Sequence, residues 1–456
     1  MALLGLALVA WGAWGALWLA PEPRLALSAD RAAIGVPGTA FEASADGMVV
    51  RGDVLVRLEI EQDGRSETLA EAELHGPSTF RFWQRAEPRR ATLRARAARG
   101  EPDWLAEGTA RVRLVAERPA GLLRGSPVVE LVREYPVRFR PPRLEVLSAT
   151  RAVRQGGAGA ARLRVDDQAV AVGVRAGEEM FAAWPAPEGA DDERVVVWGV
   201  PWTLRDAAQV VAFAEDAAGN RVELPLVDRV EPRRIRRDRI DLPESFLARV
   251  VPAILAQVPE RDPGESLLDD YLFINRELRQ RNRDFLRTLA GRSAPGTDWR
   301  DGFAQLPNSK RMAGFAEDRT YYFRGAEVDR QTHLGLDVAS VRHAEVPAAA
   351  PGTVLFAGFL GIYGNLVVLD HGYGVLTGYA HLSRIDVTEG QRVERGEVLG
   401  RTGRTGLAGG DHLHFGVFVG GLPVDPIEWM DRRWIATRIL PHVEARRPDR
   451  DGAGGA

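Results

Sequence analysis

Thr332-His333-Leu334-Gly335-Leu336-Asp337 and Asp411-His412-Leu413-His414-Phe415, with Tyr379-Ala380-His381-Leu382-Ser383 between them, carry the chemistry of this chain. These three runs hold four of its eight histidines, in β-like sequence broken by glycines. Along a strand the side chains alternate faces, so residues two and four apart share one. An extended 333–337 segment therefore points His333 and Asp337 the same way, and Gly335 between them leaves access open. His412 and His414 likewise share a face, while Leu413 and Phe415 turn into the core.

Two imidazoles and one carboxylate that converge from separate strands make a tetrahedral zinc site with three protein ligands and a fourth position for water, the mark of a catalytic centre. Zinc lowers the pKa of such a water from about 15.7 towards ~7, which makes hydroxide available at neutral pH. His381 and His412 then stand beside it as proton-transfer groups or as donors to a developing oxyanion. The chain has no His-Glu-x-x-His helix, so the glutamate base of that protease class is missing.

Each motif alone is weak, but in this order and in matching β context they are specific. The sequence resembles the lysostaphin/LytM-type zinc metallopeptidases, which cut peptide bonds in bacterial cell-wall peptidoglycan. The resemblance spans residues 306–429 and includes Pro351-Gly352-Thr353-Val354, Tyr363-Gly364-Asn365, Gly390-Gln391 and Gly400-Arg401-Thr402-Gly403. It implies that His333, Asp337 and His414 ligate Zn2+ and that His381 and His412 are the catalytic pair. Some relatives of this type have lost zinc ligands and serve as scaffolds or activators of other wall hydrolases; the intact set here argues against that role. A lipoyl-type carrier, suggested by the paired turns at 346–358 and 387–403, needs a lysine at a hairpin tip. The only lysine, Lys310, lies outside both segments.

With 456 residues the chain holds several domains. A net charge of −3 argues against a protein that coats nucleic acid. There is no cysteine, hence neither a disulfide framework nor a thiolate metal site. Residues 2–20 are uninterruptedly apolar and long enough to span a bilayer. The first charged residues are Glu22 and Arg24, so the basic flank of a secretory signal is absent and run length favours an uncleaved anchor. The missing flank also points to a start further upstream. Either way the bulk faces outside the cytoplasm, in the cell envelope.

The expected architecture is mainly β: an anchor or signal over 1–23, a β-sandwich over 24–142, and an immunoglobulin-like β-sandwich over 143–228. A linker and helical hairpin follow over 229–298, an antiparallel β metallopeptidase domain over 299–434 and a polar tail over 435–456. The sandwiches serve as spacers or as the site of a regulatory protein partner. Arg229-Val230-Glu231-Pro232-Arg233-Arg234 opens a linker that reads as a solvated strand or as a contact with anionic polymer. Apolar periodicity predicts helices over 242–257 and 264–289, the second with Leu268, Tyr271, Asn275, Leu278, Asn282, Phe285 and Leu289 on one face. That pair is either packed on the catalytic domain or a regulatory arm over its groove. The glycine-rich 403–410 segment predicts a loop beside His412. His371 reads as a hairpin-turn residue, His343 as a surface residue, and His75 and His442 as unrelated to the site.

Overall fold

The computed structural model describes residues 24–49, 53–75, 88–117, 128–258 and 264–444. The expected membrane anchor lies outside them, and among the described residues no helix is long and apolar enough to cross a membrane. The chain divides into two compact units.

The first unit runs to Arg143, with two short returns at 167–171 and 214–222. Its two antiparallel sheets are ordered Arg24–Ala29, Thr39–Val49, Pro88–Ala97 and Arg65–His75, Asp53–Gln62, Gly108–Glu117, Val128–Val137. Strict alternation builds its core. Val54, Val56, Leu58 and Ile60 are buried while Arg57 and Glu59 between them pair on the outer face at 3.1 Å.

In the second unit the strands Trp184–Pro185, Glu193–Gly199, Ala158–Val165 and Leu144–Ala149 form a sheet. Its buried Leu163, Val195 and Trp198 belong to one apolar cluster with Val417, Val419, Leu422 and Trp429. The changes of element type at 228 and 299 are therefore not breaks in the core.

The centre of this unit is an eight-stranded antiparallel sheet. Its order is Lys310–Ala313, Leu336–Ala339, Leu413–Val419, Val375–Leu382, Asn365–Asp370, Gly352–Phe359 and Arg392–Val393, with Leu422–Val424 paired to Leu413–Val419. Both faces are covered. Val367 and Leu369 enter the cluster shared with Trp198, while Leu366 and Val368 enter a second one built with the helices. Double burial explains why Val375–Leu382 and Leu413–Val419 are buried at every position and read as apolar runs without alternation. Gly378 and Gly416 lie opposite each other, and a Cβ on either would meet the Phe418 ring at 3.1 or 2.8 Å.

The helices are Glu244–Leu255 and a longer one made of Leu267–Phe273, a π-turn at Ile274–Leu278, and Arg279–Ala290. The π-turn widens the buried face beyond the expected stripe, adding Phe273 and Ile274 to Tyr271 and Asn275. The arginine-rich linker is not a free strand: Arg237–Asp241 pairs in parallel with Glu317–Phe323, which pairs with Ala326–His333. Arg239 lies over the Tyr322 ring at 3.6 Å, and Arg233 pairs with Asp425 at 2.5 Å.

Two expectations are corrected. The polar tail does not begin at 435, because Arg432–Arg438 and Leu440–Val443 are helical. Ile435 and Val443 in these helices, and Ile439 at the junction between them, are fully buried; the remaining residues, 445–456, lie outside the described set. His371 is no plain turn residue either. It is wholly buried, its Nδ1–H donates to the Pro351 carbonyl at 2.6 Å, and its Nε2 lies 2.7 Å from the Thr377 hydroxyl. That hydroxyl meets the Tyr379 hydroxyl at 3.1 Å, which accepts from the Ala349 N–H at 2.9 Å.

Burial pushes the His371 imidazole down to about 4 from its usual 6.5, so it is neutral in the fold. Between these two values the unfolded chain takes up a proton that the folded chain refuses, so stability falls as pH drops through that window. The loss amounts to about 3 kcal/mol. The stability difference between the wild type and His371→Asn, followed by urea unfolding, should shrink by that amount from pH 7 to pH 4. A difference independent of pH would contradict the buried neutral assignment.

Candidate metal centre

Asp337 lies directly opposite His414 in the sheet. Their neighbours Leu336, Val338, Leu413 and Phe415 enter the core on one face, so alternation turns Asp337 and His414 to the other, where the helices lie. His333 arrives from a different sheet as the last residue of Ala326–His333. The single extended 333–337 strand is thus corrected: the chain breaks at Leu334-Gly335 before Leu336–Ala339 begins. Gly335 is required there because of packing rather than access. A Cβ would stand 2.4 Å from Cε1 and Nε2 of His414.

The three groups meet closely. His333 Nε2 lies 3.0 Å from Asp337 Oδ1 and 3.1 Å from His414 Nδ1, and His414 Nδ1 lies 2.8 Å from Asp337 Oδ1. All three residues are buried. Tetrahedral zinc with nitrogen and oxygen ligands sets its donor atoms about 3.3 Å apart, so an opening of a few tenths of an ångström accommodates it. The outer atoms are committed elsewhere, which aims the inner ones. His333 Nδ1–H donates to the Gly314 carbonyl at 2.7 Å, and Asp337 Oδ2 accepts from Arg319 at 3.2 Å. Donor types and orientation both fit Zn2+.

His381 and His412 stand beside this triad, with ring centroids 4.8 Å apart and His381 5.8 Å from His414. His381 has φ +63°, a left-handed conformation inside a strand. The register slips here, where Asn365 pairs with Leu382 but Val367 pairs with Tyr379. The bulge rotates the imidazole into the site, and its Nδ1–H donates to the Thr405 carbonyl at 2.8 Å. His412 donates its Nδ1–H to the Gly410 carbonyl at 2.9 Å, and its Nε2 is 3.7 Å from Asp337 Oδ1. Both imidazoles therefore present Nε2 to the site. The expected glycine-rich loop is present and orients both.

The electrostatics suit metal ligation. Burial alone would raise the Asp337 pKa, but the neighbouring His333, helped by His412 and His414, holds it well below the usual carboxylate range. Burial pushes His414 down to about 4 against the pull of Asp337. Burial and then the neighbouring His412 and His414 push His381 well below its usual value. His412 is raised, because Asp337 outweighs its burial. A divalent cation would drive Asp337, His381 and His414 further towards their deprotonated forms and would oppose the upward shift of His412.

The triad opens on a cavity of about 670 Å³ whose lining includes Arg319, Tyr363, Leu407 and, from the helical layer, Phe246, Tyr271 and Arg283. Arg319 was hidden from sequence reasoning because its strand, Glu317–Phe323, carries no distinctive pattern. The remaining histidines are elsewhere. His343 is exposed and bonds Ser383 at 3.1 Å, His75 pairs with Asp53 at 2.8 Å in the first unit, and His442 is half-buried in the last helix.

Gly335→Ala should displace the His414 ring and weaken zinc binding by tenfold or more, about 1.4 kcal/mol, in a chelator-competition titration. Wild-type affinity in this variant would show that the break at 334–335 does not position the triad.

Residues 331–426 match the model described as Peptidase family M23. Over 95 residues the chain is 44% identical to the DD-carboxypeptidase/endopeptidase Mpg of Neisseria meningitidis serogroup B, which is 21% of this chain and 22% of that protein. Over 96 residues it is 38% identical to the peptidoglycan DD-endopeptidase ShyA of Vibrio cholerae serotype O1, again 21% of this chain and 22% of the relative. The match thus spans about a fifth of the length of these relatives. The catalytic domain of the antimicrobial peptidase lysostaphin from Staphylococcus simulans aligns with 28% identity and a TM-score of 0.23, over 27% of this chain and 94% of that one. The buried His333, Asp337 and His414 cluster falls inside the matched residues, and the chain carries a peptidase M23 domain of the LytM type.

Proposed function

We propose that this protein is a zinc-dependent endopeptidase that hydrolyses peptide crosslinks of bacterial peptidoglycan, tethered through residues 2–20 to the inner membrane with its bulk outside the cytoplasm. One observation carries the reading. His333 Nε2, Asp337 Oδ1 and His414 Nδ1 converge within 3.1 Å at the wall of a cavity large enough for a peptide, with two further imidazoles facing the same space. The relatives named as peptidoglycan endopeptidases support the choice of substrate, and the apolar 2–20 run supports the tether. The sheets before residue 229 serve as a spacer or as the seat of a regulatory partner.

Held by the triad, zinc supplies Lewis-acid polarisation of the scissile carbonyl and an activated water for its hydrolysis. The rest falls to the chain's own groups. His381 and His412 each have Nδ1–H fixed on a backbone carbonyl, so Nε2 is the working atom of both. Whichever is neutral accepts the proton of the attacking water and later returns it to the leaving amine. The other donates its Nε2–H to the carbonyl oxygen as negative charge develops there. Arg319 keeps Asp337 oriented throughout.

The test is zinc content together with release of crosslinks from purified peptidoglycan, with and without chelator. One zinc per chain and chelator-sensitive release are expected. His414→Ala should lose both zinc and activity. His381→Ala should keep zinc and lose roughly 10²–10⁴-fold in kcat/KM. Bound zinc without any cleavage would point instead to a scaffold or activator of other wall hydrolases, and a fully active His381→Ala would refute its role.

A further inference from the structure

The helical layer contributes more than packing to the cavity. Arg249 from Glu244–Leu255, and Arg279 and Arg283 from the longer helix, line the same space as the triad. Among the described residues, none of the three is paired with a carboxylate. Arg249 donates to the Ala408 carbonyl at 2.9 Å, Arg279 to the carbonyl and side-chain oxygen of Asn275, and Arg283 to the side-chain oxygen of Gln280. The two acids on the cavity wall are engaged by other arginines, Asp241 by Arg239 at 2.9 Å and Asp337 by Arg319 at 3.2 Å. Neutral oxygens orient a guanidinium but leave its charge uncompensated, and all three side chains are half-buried.

The wall is also fixed in place. Asn282 accepts the Ile362 N–H at 3.0 Å, and a Cβ on Gly361 would stand 2.4 Å from the same side-chain oxygen, so the helix rests directly on the 361–363 turn. Asn275 donates to Asp329 at 2.8 Å. Ile274, Leu278, Leu286 and Leu289 are buried against Leu366, Val368 and Leu376 of the sheet. Swinging this helix away would expose that core, which sets it apart from a detachable inhibitory arm. Tyr363 bridges the distance to the metal centre: its ring lies 5.8 Å from that of His414, and the fields of Arg279 and Arg283 both reach its phenol. Burial, followed by the neighbouring Arg279, lowers the pKa of Arg283, and burial followed by Arg404 lowers that of Arg249.

We propose that Arg249, Arg279 and Arg283 form an anion subsite that holds a free carboxylate of the peptide substrate close to the bond that is cut. The assignment rests on the peptidase reading of the triad and adds a substrate requirement to it. A guanidinium fork matches a carboxylate bidentately, with two parallel N–H···O bonds. The helical layer is then a specificity element of the active site, and substrates whose nearby carboxylate is amidated should bind and turn over poorly.

The experiment uses the full zinc-replete chain with purified crosslinked muropeptide dimers, either native or with their carboxylates amidated by carbodiimide. Equilibrium binding by isothermal titration and kcat/KM are both measured. In the wild type, amidation should weaken binding and kcat/KM at least tenfold. In Arg279→Gln/Arg283→Gln the native dimers should fall to that level, amidation should cease to matter, and zinc content should stay at one per chain. Arg279→Lys/Arg283→Lys, which keeps the charge, should recover part of the preference. Dimers amidated only at the C-terminal carboxylate, or only at a side-chain carboxylate, assign which group is held. An unchanged preference in the Gln variant would overturn the subsite, as would faster cleavage by that variant, which would make the arginines inhibitory. Were the wild type to cleave nothing, the peptidase reading would fail, while the binding comparison would still decide the subsite.

Discussion

A carboxylate buried between imidazoles is the constraint on which this molecule depends. Asp337 is 8% exposed and needs compensation for the lost hydration of its charge. His333 and His414 face its Oδ1 at 3.0 and 2.8 Å, and Arg319 holds its Oδ2. Meeting those demands takes strands from two sheets, a chain break that only a residue without a Cβ permits, and the helical layer that closes the space above. A divalent cation would complete the same arrangement.

The eight-stranded sheet gives the site its rigidity because neither face is free. One face packs on the core shared with Trp198 and Trp429, the other on the helices between 244 and 290. Ligands placed on such a sheet have little freedom to drift, which a centre of fixed geometry requires. The 403–410 loop, which orients His381 and precedes His412, is tied down by Arg249 on the Ala408 carbonyl. Helices, loop and the triad of His333, Asp337 and His414 are therefore joined in one packed structure.

Much of this was legible in the sequence, for a physical reason. Strand alternation relates residues two apart, so the pairing of His412 with His414 on one face and the burial of Leu413 and Phe415 follow from local geometry. Helix periodicity did the same for Tyr271, Asn275, Leu278 and Asn282. What stayed hidden depends on segments far apart in the chain. The left-handed His381 arises from a register slip against Asn365–Asp370, the support of Asp337 comes from a strand with no distinctive pattern, and the burial of His371 depends on Pro351 and Thr377. Continuous apolar runs, buried on both faces, carry no alternation from which a face could be assigned. The C-terminal helices escaped because Ile435, Ile439 and Val443 lie in a short segment that contains Pro441 and runs straight into the charged, glycine-rich sequence after Glu444.

The central claim is that His333, Asp337 and His414 together hold one zinc ion. Diffraction from crystals of the zinc-loaded protein, recorded on both sides of the zinc absorption edge, tests it directly. The account predicts a single anomalous peak about 2.0–2.2 Å from His333 Nε2, Asp337 Oδ1 and His414 Nδ1. A zinc peak coordinated by other residues, or no peak at this triad, would contradict it.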